Sequence, residues 1–245
     1  MARPEKRFYR RLQNPEGFKA FEVIVGESDL WIAVPEKDYS LSLKREVERS
    51  VALLRSQIEL YAFKEKEFLT SLTPVSVSPL APRVVRKMGV ECGRCGVGPM
   101  AGVAGAINLF VGERLEELGV GQFLIENGGD IYLRREKETV ALLLTGNPKL
   151  DGRLGVIVPP GRWGLSSSSS KIGHSLSLGQ TQTATVLAED PVYSDCCATF
   201  LGNSVSPQDA LDRIEMLEAI EAAAVFIDGR FVIRGNLKPV LIGQP

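Results

Sequence analysis

The stretch CGRCGVGPMAGVAGAINLFVGERLEELGVGQFLIENGGDIYL, residues 92–133, joins a glycine-rich loop, an amphipathic helix and a strand. Glycine permits sharp turns and close approach of a ligand, and Pro99 suits a first helical turn, where its missing N–H is not needed. The small residues that follow lie at a helix N-terminus, whose free N–H groups favour anions. The pattern therefore predicts that the loop cradles a phosphate, with candidate residues Gly96, Gly98, Ala101 and Gly102.

The end of this stretch interrupts a predicted strand. Residues 122–125, apolar after Gln122, lead into Glu126-Asn127-Gly128-Gly129-Asp130, and the apolar run resumes at residues 131–133. Two glycines beside Asn and Asp predict a bulge or turn that holds a carboxylate against exposed N–H groups. The same pattern is common in turns without any function. The sequence thus leaves both roles open for this segment.

Composition restricts the class of protein. The chain has 245 residues, 44% of them hydrophobic, and 29 basic residues against 30 acidic ones give a net charge of −1. This balance offers no electrostatic argument for nucleic-acid binding. The basic N-terminus is followed by no apolar run of signal-peptide type, and no run approaches the roughly 20 residues that span a bilayer. We therefore expect a cytoplasmic protein that binds neither nucleic acid nor membrane.

Four cysteines occur in two pairs, Cys92-x-x-Cys95 and Cys196-Cys197. Without a secretory signal we expect them to be reduced. The first pair has the spacing of half a zinc or iron–sulfur site, whereas adjacent cysteines on a helix point about 100° apart and rarely bind one metal. A metal–thiolate site and ordinary packing of small side chains both stay open. The metal hypothesis gains if the helix of Cys196 lies against the glycine loop and brings the four sulfurs together.

The remaining elements frame the central stretch. Residues 18–34 predict a hairpin, and residues 43–63 predict a long amphipathic helix with Ser40 or Ser42 as its N-cap. The five serines at 166–170 are typical of a flexible linker, but their position between strand-like segments also fits an ordered edge that donates hydroxyls to phosphate, with Ser169 and Ser170 as candidates. His174 is the only histidine. It is either a structural hydrogen-bonding group or a general base.

A small-residue helix near residue 195 carries a second set of oxygen atoms. Asp195 and Thr199 are four residues apart, so their side chains share one helical face. A carboxylate and a hydroxyl are hard ligands suited to Mg²⁺, which takes few protein carboxylates and keeps several waters. Alternatively, Asp195 is an acid of the first helical turn and Thr199 bonds back to a carbonyl. The spacing alone does not separate these interpretations.

The order of these motifs resembles the ApbE family of flavin transferases, and more narrowly its UPF0280 branch. The residues that carry the resemblance are GVGPMAGVAGAI, ENGGDIYL, GHSLSLG and the Asp-x-x-Ala-Thr of the helix at residue 195, within residues 75–235. The resemblance implies an α+β fold of the ApbE, T-fold-like type, with mixed, mainly antiparallel sheets and packed helices. We expect one domain over residues 1–245 that includes the N-terminal segment 18–66.

The resemblance also implies an activity. In the transferases FAD is split at its pyrophosphate and FMN is moved onto a threonine of an acceptor protein, with Mg²⁺ bridging the phosphates. The metal ligands of the family correspond to Asp195, Thr199 and the carbonyl of Ala106. Its Gly-Gly-Asp corresponds to Gly128, Gly129 and Asp130, and its histidine to His174. We therefore expect Asp130 to orient the site and His174 to handle a proton.

Two motifs depart from the family pattern. The histidine is followed by Ser-Leu-Ser-Leu-Gly instead of Asp-Pro-x-Thr-Gly, and Asn108-Leu109-Phe110 replaces a Lys-Gly-Tyr. Three hypotheses follow: a Mg²⁺-dependent enzyme acting on FAD or a similar diphosphate, a flavin- or nucleotide-binding protein without turnover, and a zinc or iron–sulfur protein. Apolar positions of the N-terminal hairpin additionally suggest a homodimer.

Overall fold

The computed structural model describes residues 14–142, 154–168 and 181–241, and all structural statements below refer to these ranges. Eleven strands are present within them, and each pairs antiparallel with its neighbours. They are β1 (Phe18–Val25), β2 (Ser28–Pro35), β3 (Phe123–Asn127), β4 (Asp130–Arg135), β5 (Thr139–Leu142), β6 (Leu154–Val158), β7 (Gly161–Ser168), β8 (Thr183–Ala188), β9 (Ala222–Ile227), β10 (Arg230–Gly235) and β11 (Lys238–Leu241).

These strands form two sheets. The main sheet has eight strands in the order β1-β2-β3-β4-β7-β8-β9-β10, and a small sheet has the order β11-β6-β5. The mixture of helices with antiparallel sheets confirms the predicted α+β class. The first hairpin is also confirmed, since β1 and β2 pair along their full length from Phe18 with Pro35 to Val25 with Ser28. Strand β11, which the sequence analysis did not predict, pairs with β6.

Helices cover one face of the main sheet. Ser40 caps the long first helix as predicted, because its Oγ accepts a hydrogen bond from the Leu43 N–H at 3.0 Å. The helices are α1 (Leu41–Lys64), α2 (Lys66–Thr70), α3 (Arg83–Cys95), α4 (Val103–Glu117), α5 (Pro191–Gly202) and α6 (Pro207–Met216), with short 3-10 segments at Glu36–Asp38 and Pro99–Gly102.

The main sheet is buried on both faces. In β3, Ile125 belongs to the core beneath the helices, whereas its neighbour Leu124 belongs to a second core that includes Val156 and Val158 of the small sheet. Successive side chains of a strand point to opposite faces, so a strand covered on both sides needs apolar residues at consecutive positions. This explains why β3 reads as an uninterrupted apolar run in the sequence. The fold therefore has three layers: helices, main sheet and small sheet.

One local prediction was wrong, and one open alternative is decided for part of its residues. The Cys92-x-x-Cys95 motif lies on the last turn of α3 instead of in a loop, and the helix ends only at Gly96, whose φ of +70° is the left-handed conformation common at helix ends. Residues 166–168 of the serine run form part of β7, which pairs with β4 and β8, so these three residues are an ordered strand and not a flexible linker. Pairing with distant strands outweighs the weak local preference of serine.

Helix α5 lies closest to the sheet and to its neighbouring helices. A Cβ on Gly105 of α4 would lie 2.3 Å from the Pro191 carbonyl oxygen, and a Cβ on Gly164 of β7 would lie 2.4 Å from the Pro191 Cα. Glycine at these two positions thus permits a backbone approach that any side chain would prevent. The first eight residues of α5, 191–198, are all buried.

Within residues 14–142, 154–168 and 181–241, no single helix has the length and apolar composition needed to cross a membrane. Helices α3 and α4 meet that criterion only as a pair, together with the 3-10 segment between them, and the pair is bent by 107°.

Candidate functional site

The contact between α4 and α5 places Asp195 in a buried position. The Asp195 side chain is 7% exposed, and its Oδ2 accepts a hydrogen bond from the Gly105 N–H at 2.8 Å. Asp195 is the fifth residue of α5 and lies beyond its first turn, and the N-cap is Asp190, whose Oδ1 accepts from the Val192 and Tyr193 N–H groups. The prediction that Asp195 is a first-turn acid of its own helix is therefore wrong, and its carboxylate instead accepts from an N–H in the first turn of α4.

The Gly-Gly turn connects β3 to β4 and positions Asp130 at the start of β4. Gly128 and Gly129 have φ values of +70° and +105°, as a two-residue hairpin turn requires. The Gly129 N–H donates to Glu126 Oε1 at 2.8 Å, so the carboxylate held against the turn is that of Glu126. The two glycines thus have a structural role in the hairpin.

The Asp130 and Asp195 carboxyl groups both have raised pKa values, and the charge of Asp130 contributes to the shift of Asp195. Burial raises the pKa of Asp130 to about 7, the Glu126 carboxylate adds to the rise, and the Ser166 hydroxyl opposes it. Burial also raises the pKa of Asp195 well above its usual range, the charge of Asp130 raises it further, and the Gly105 N–H opposes it. Two carboxylates in one buried site resist simultaneous ionisation. A cation bound between them would relieve that repulsion.

Buried oxygen atoms in the same place have no donor among the residues that the structure describes. Asn108 of α4 is fully buried, and its Nδ2 donates to the Asp130 carbonyl at 3.0 Å. Asn108 Oδ1 and Asp130 Oδ1 are both enclosed and unpartnered within that same part of the chain. Such a buried acceptor costs about 1–3 kcal/mol. The pair therefore points to a ligand that supplies a cation or hydrogen-bond donors.

Asn108 was not predicted as a site residue. In the sequence, Asn108 stands out only as part of a departure from a family motif. The helical pattern does mark Asn108 as a candidate, because it is a polar residue among the inward-facing positions of α4 and follows Gly105 by three residues. Which polar atom it would meet depends on the β4 backbone, which the helical pattern does not reveal.

The predicted metal ligands lie on the two helices that meet here. Ala106 is fully buried next to Gly105, and Thr199 is half-buried one turn beyond Asp195 on α5. In the described ranges no group of three or more His, Cys, Asp and Glu side chains is arranged to hold a metal ion. A metal at this site would thus depend on one or two carboxylates with neutral oxygens, which is the ligand set typical of Mg²⁺. The donor types fit Mg²⁺, and the assignment stays a prediction.

The N–H groups of the predicted phosphate loop already have acceptors in the protein. The Gly96 N–H donates to the Gly93 carbonyl at 3.3 Å, the Gly98 N–H to the Leu72 carbonyl at 3.0 Å, and the Ala101 N–H to the Gly98 carbonyl at 3.0 Å. A Cβ on Gly98 would lie 1.9 Å from the Ser71 carbonyl oxygen. The glycine at position 98 is thus explained by backbone packing, and phosphate binding by this loop stays a prediction.

Gly102, the fourth residue predicted for the phosphate loop, lies against sulfur atoms. A Cβ at this position would be 2.8 Å from Cys196 Sγ and 3.0 Å from Cys92 Sγ. The remaining predicted phosphate donors, Ser169 and Ser170, and the predicted base His174 lie outside the described residues.

A groove of about 560 Å³ opens between α3, α4 and the start of α5. Two of its three cations are in ion pairs: Arg83 bonds to Glu113 at 2.8 Å, and Lys87 bonds to Glu91 at 2.8 Å and also contacts Asp190, whereas Arg86 donates to the Pro79 carbonyl. The groove is thus lined by both positively and negatively charged side chains. The buried oxygens around Asp130 and Asp195 remain the better candidate site.

Comparisons with known proteins agree with this geometry. The family model described as "AbpE bacteria" matches residues 10–225. The UPF0280 protein of Methanococcus aeolicus is 34% identical over 222 residues, covering 88% of this chain and 86% of the relative, and that of Methanocaldococcus jannaschii is 31% identical, covering 88% and 90%.

Solved structures share the fold. The flavin transferase ApbE from Vibrio cholerae superposes with a TM-score of 0.63 at 14% identity, covering 90% of this chain and 97% of that one. The apo flavinyl transferase ApbE from Pseudomonas stutzeri gives a TM-score of 0.62 at 17% identity, covering 89% and 93%. At these identities the comparison establishes a common architecture.

Proposed function

We propose that this chain, which belongs to the ApbE-like UPF0280 family, is a Mg²⁺-dependent enzyme that binds FAD and cleaves its pyrophosphate. The observation that carries the proposal is the buried site between α4, α5 and β4. There, two carboxyl groups with raised pKa values lie beside oxygen acceptors that lack a donor in the described residues. Sites of this kind are typical of catalytic centres and of cation binding.

Three groups would hold the metal: the Asp195 carboxylate, the Thr199 hydroxyl and the Ala106 carbonyl. Mg²⁺ held there would neutralise negative charge on the diphosphate of the substrate. Asp195 is suited to this role because the Gly105 N–H occupies one of its oxygens and fixes the direction of the other. The closeness of α4 and α5, which Gly105 permits, keeps the helix-borne ligands within one buried space.

Asp130 has the properties of a proton-exchanging group. With a pKa of about 7 its carboxyl group gains and loses a proton near neutral pH, where general acid–base catalysis is most effective. Asn108 fixes the backbone of Asp130 through its hydrogen bond to the Asp130 carbonyl. We propose His174 as a second proton carrier.

We further propose that FMN is transferred to an acceptor protein. The solved structures that share the fold are titled as flavin transferases. In such a transfer an acceptor hydroxyl attacks the flavin-side phosphorus, a new P–O bond forms, the pyrophosphate bond breaks and AMP leaves. The hydroxyl proton passes to a base of the site. If water replaces the acceptor, the products are FMN and AMP.

A second candidate function is binding of a flavin or nucleotide without turnover. Asn108 favours it, because a neutral, fully buried amide stands where the resemblance leads one to expect a lysine. Such a site would lack one cation for the diphosphate. The two candidates differ in whether AMP is released.

Titration of FAD, FMN and ADP into the purified protein, with and without Mg²⁺, tests both candidates. Chromatography of the mixture then detects AMP, with and without a candidate acceptor protein. Mg²⁺-dependent FAD binding with AMP release supports the enzyme. Mg²⁺-dependent binding without AMP supports the second candidate. No binding of any of the three ligands contradicts both.

The variant Asp195→Asn tests the metal assignment. We expect it to weaken Mg²⁺-linked FAD binding at least tenfold, because metal ligation is lost while the side-chain volume is kept. The matched control is Asp212→Asn on α6, where an exposed carboxylate bonds to Gln208 Nε2 at 2.8 Å. Equal affinities of both variants and the parent protein for FAD in Mg²⁺ would contradict the assignment.

A further inference from the structure

The four cysteines converge between α3 and α5, although the two pairs are about 100 residues apart in the chain. All four are buried, with exposed fractions of 4% or less. Cys95 Sγ lies 3.1 Å from Cys197 Sγ. Cys92 Sγ and Cys196 Sγ both lie next to Gly102, each about 3 Å from the position of a Cβ there. The absence of a side chain on Gly102 makes room for this sulfur cluster.

The members of the cluster differ in what they contact. Cys92 donates its S–H to the Pro99 carbonyl at 3.4 Å, which holds it on the side of the 3-10 segment. Cys95 and Cys197 contact each other across the interface of α3 with α5. This sulfur contact is therefore between two helices, and it does not join the Cys-x-x-Cys pair.

The spacing of Cys95 and Cys197 does not suit a metal. With Zn–S bonds of about 2.3 Å, two sulfurs of a tetrahedral site lie about 3.8 Å apart. The observed 3.1 Å is shorter, and no group of three or more ligating side chains in the described ranges is arranged to hold a metal ion. The contact instead resembles a thiol that donates to a neighbouring thiolate.

The electrostatic surroundings make Cys95 the more reactive partner. Hydrogen bonds from Cys196 and Cys197 lower the pKa of Cys95 to about 5, the Arg94 guanidinium also lowers it, and burial opposes the shift. Arg94 is held in place over the Tyr193 ring at 4.1 Å and by Glu91 at 2.6 Å. A thiolate beside a thiol is the arrangement needed for disulfide formation.

We propose that Cys95 and Cys197 are an oxidation site, at which hydrogen peroxide converts the two thiols into a disulfide that joins α3 to α5. The Cys95 sulfur attacks one peroxide oxygen, an S–O bond forms, the O–O bond breaks and the leaving hydroxide takes up a proton as water. Cys197 Sγ then attacks the Cys95 sulfenic acid, the S–S bond forms, and a second water leaves with the Cys197 proton. Two electrons pass from the two sulfurs to the peroxide.

The test treats the reduced full-length protein with hydrogen peroxide, removes the oxidant, unfolds the protein and alkylates the remaining thiols. We expect two of the four cysteines to escape alkylation, and peptide mapping to find Cys95 linked to Cys197. Return of all four to the alkylated form after treatment with dithiothreitol confirms a disulfide. Four alkylated cysteines after peroxide, or a disulfide that joins two chains, overturns the proposal.

Two variants test whether the disulfide involves Cys95 and Cys197 and not Cys92 and Cys196. Cys197→Ala should leave no disulfide, whereas the matched control Cys92→Ala should form it as the parent protein does. Circular dichroism shows whether each variant folds. If Cys197→Ala does not fold, the disulfide mapped in the parent protein tests the proposal by itself. A link between Cys92 and Cys196, or zinc or iron bound stoichiometrically to the purified protein, overturns the proposal.

Discussion

Two buried clusters lie on consecutive residues of α5, and they differ in how their polar groups are satisfied. Asp195 faces α4 and shares its site with Asp130 and Asn108, where buried oxygens lack a donor in the described part of the chain. Cys196 and Cys197 face α3, where the thiols contact one another. The first cluster needs a partner that the described residues do not supply, whereas the second already contains the partners for its own chemistry.

Each cluster depends on a glycine, whose missing side chain leaves room for neighbouring atoms. At Gly105 the neighbour is the backbone of Pro191 and Val192, and at Gly102 it is the tips of Cys196, Cys92 and Val192. Backbone cannot move without shifting the whole helix, whereas a side-chain tip can rotate. The carboxylate site should therefore tolerate much less change than the thiol cluster.

The largest effect is expected for Gly105→Ala. The new Cβ would lie 2.3 Å from the Pro191 carbonyl oxygen, so α5 must move away from α4 and the hydrogen bond to Asp195 is strained. We expect the free energy of unfolding to fall by at least about 3 kcal/mol. Urea denaturation measures it.

The control for this variant is Gly93→Ala on α3. A Cβ on Gly93 has no neighbour within 4 Å in the described residues, and alanine is the better helix former. We expect a change between zero and a gain of about 1 kcal/mol. A loss at Gly93 equal to that at Gly105 would show that the close helix contact is not the cause.

An intermediate effect is expected in the pH dependence of stability. The folded-state pKa of Asp130 is about 7, against roughly 4 in an unfolded chain, so between these values the folded protein binds more protons. The free energy of unfolding must then fall as pH rises from 4 to 7. Each pKa unit is worth about 1.4 kcal/mol, and because local relaxation relieves part of the penalty we expect a fall of about 2 kcal/mol.

Asp130→Asn isolates this contribution. Urea denaturation at pH 5 and pH 8 in a chelator should show a smaller difference for the variant than for the parent protein, because one ionisation is removed and its repulsion of Asp195 disappears. If both proteins lose the same stability between these pH values, the carboxylate pair is not strained. Addition of Mg²⁺ should restore part of the stability of the parent protein at pH 8.

The smallest effect is expected for Gly102→Ala. The new methyl group meets Cys196 Sγ at 2.8 Å and Cys92 Sγ at 3.0 Å, and rotation of these side chains relieves the contact. We expect a loss of about 1 kcal/mol in the free energy of unfolding. A loss as large as that of Gly105→Ala would contradict the difference between backbone and side-chain neighbours at the two clusters.

Local patterns predicted the elements that have strong periodicity or caps. The hairpin of β1 and β2, the helix that begins after Ser40 and the strand-turn-strand around Gly128 and Gly129 were all predicted with boundaries close to those observed. The extension of α3 through Cys95 and the serine-containing strand β7 were not. Their residues have weak preferences, and their conformation depends on partners far away in the chain.

The sequence by itself determined the family and the α+β class and predicted site roles for Asp195 and Asp130, because the order of its motifs carries the family resemblance. Only the tertiary structure decided which groups meet. It placed Asn108 on the Asp130 backbone, gave the cap of α5 to Asp190, and brought Cys95 to Cys197. These contacts result from the packing of α3, α4 and α5 on the main sheet, and packing between distant segments leaves no periodic trace in the chain.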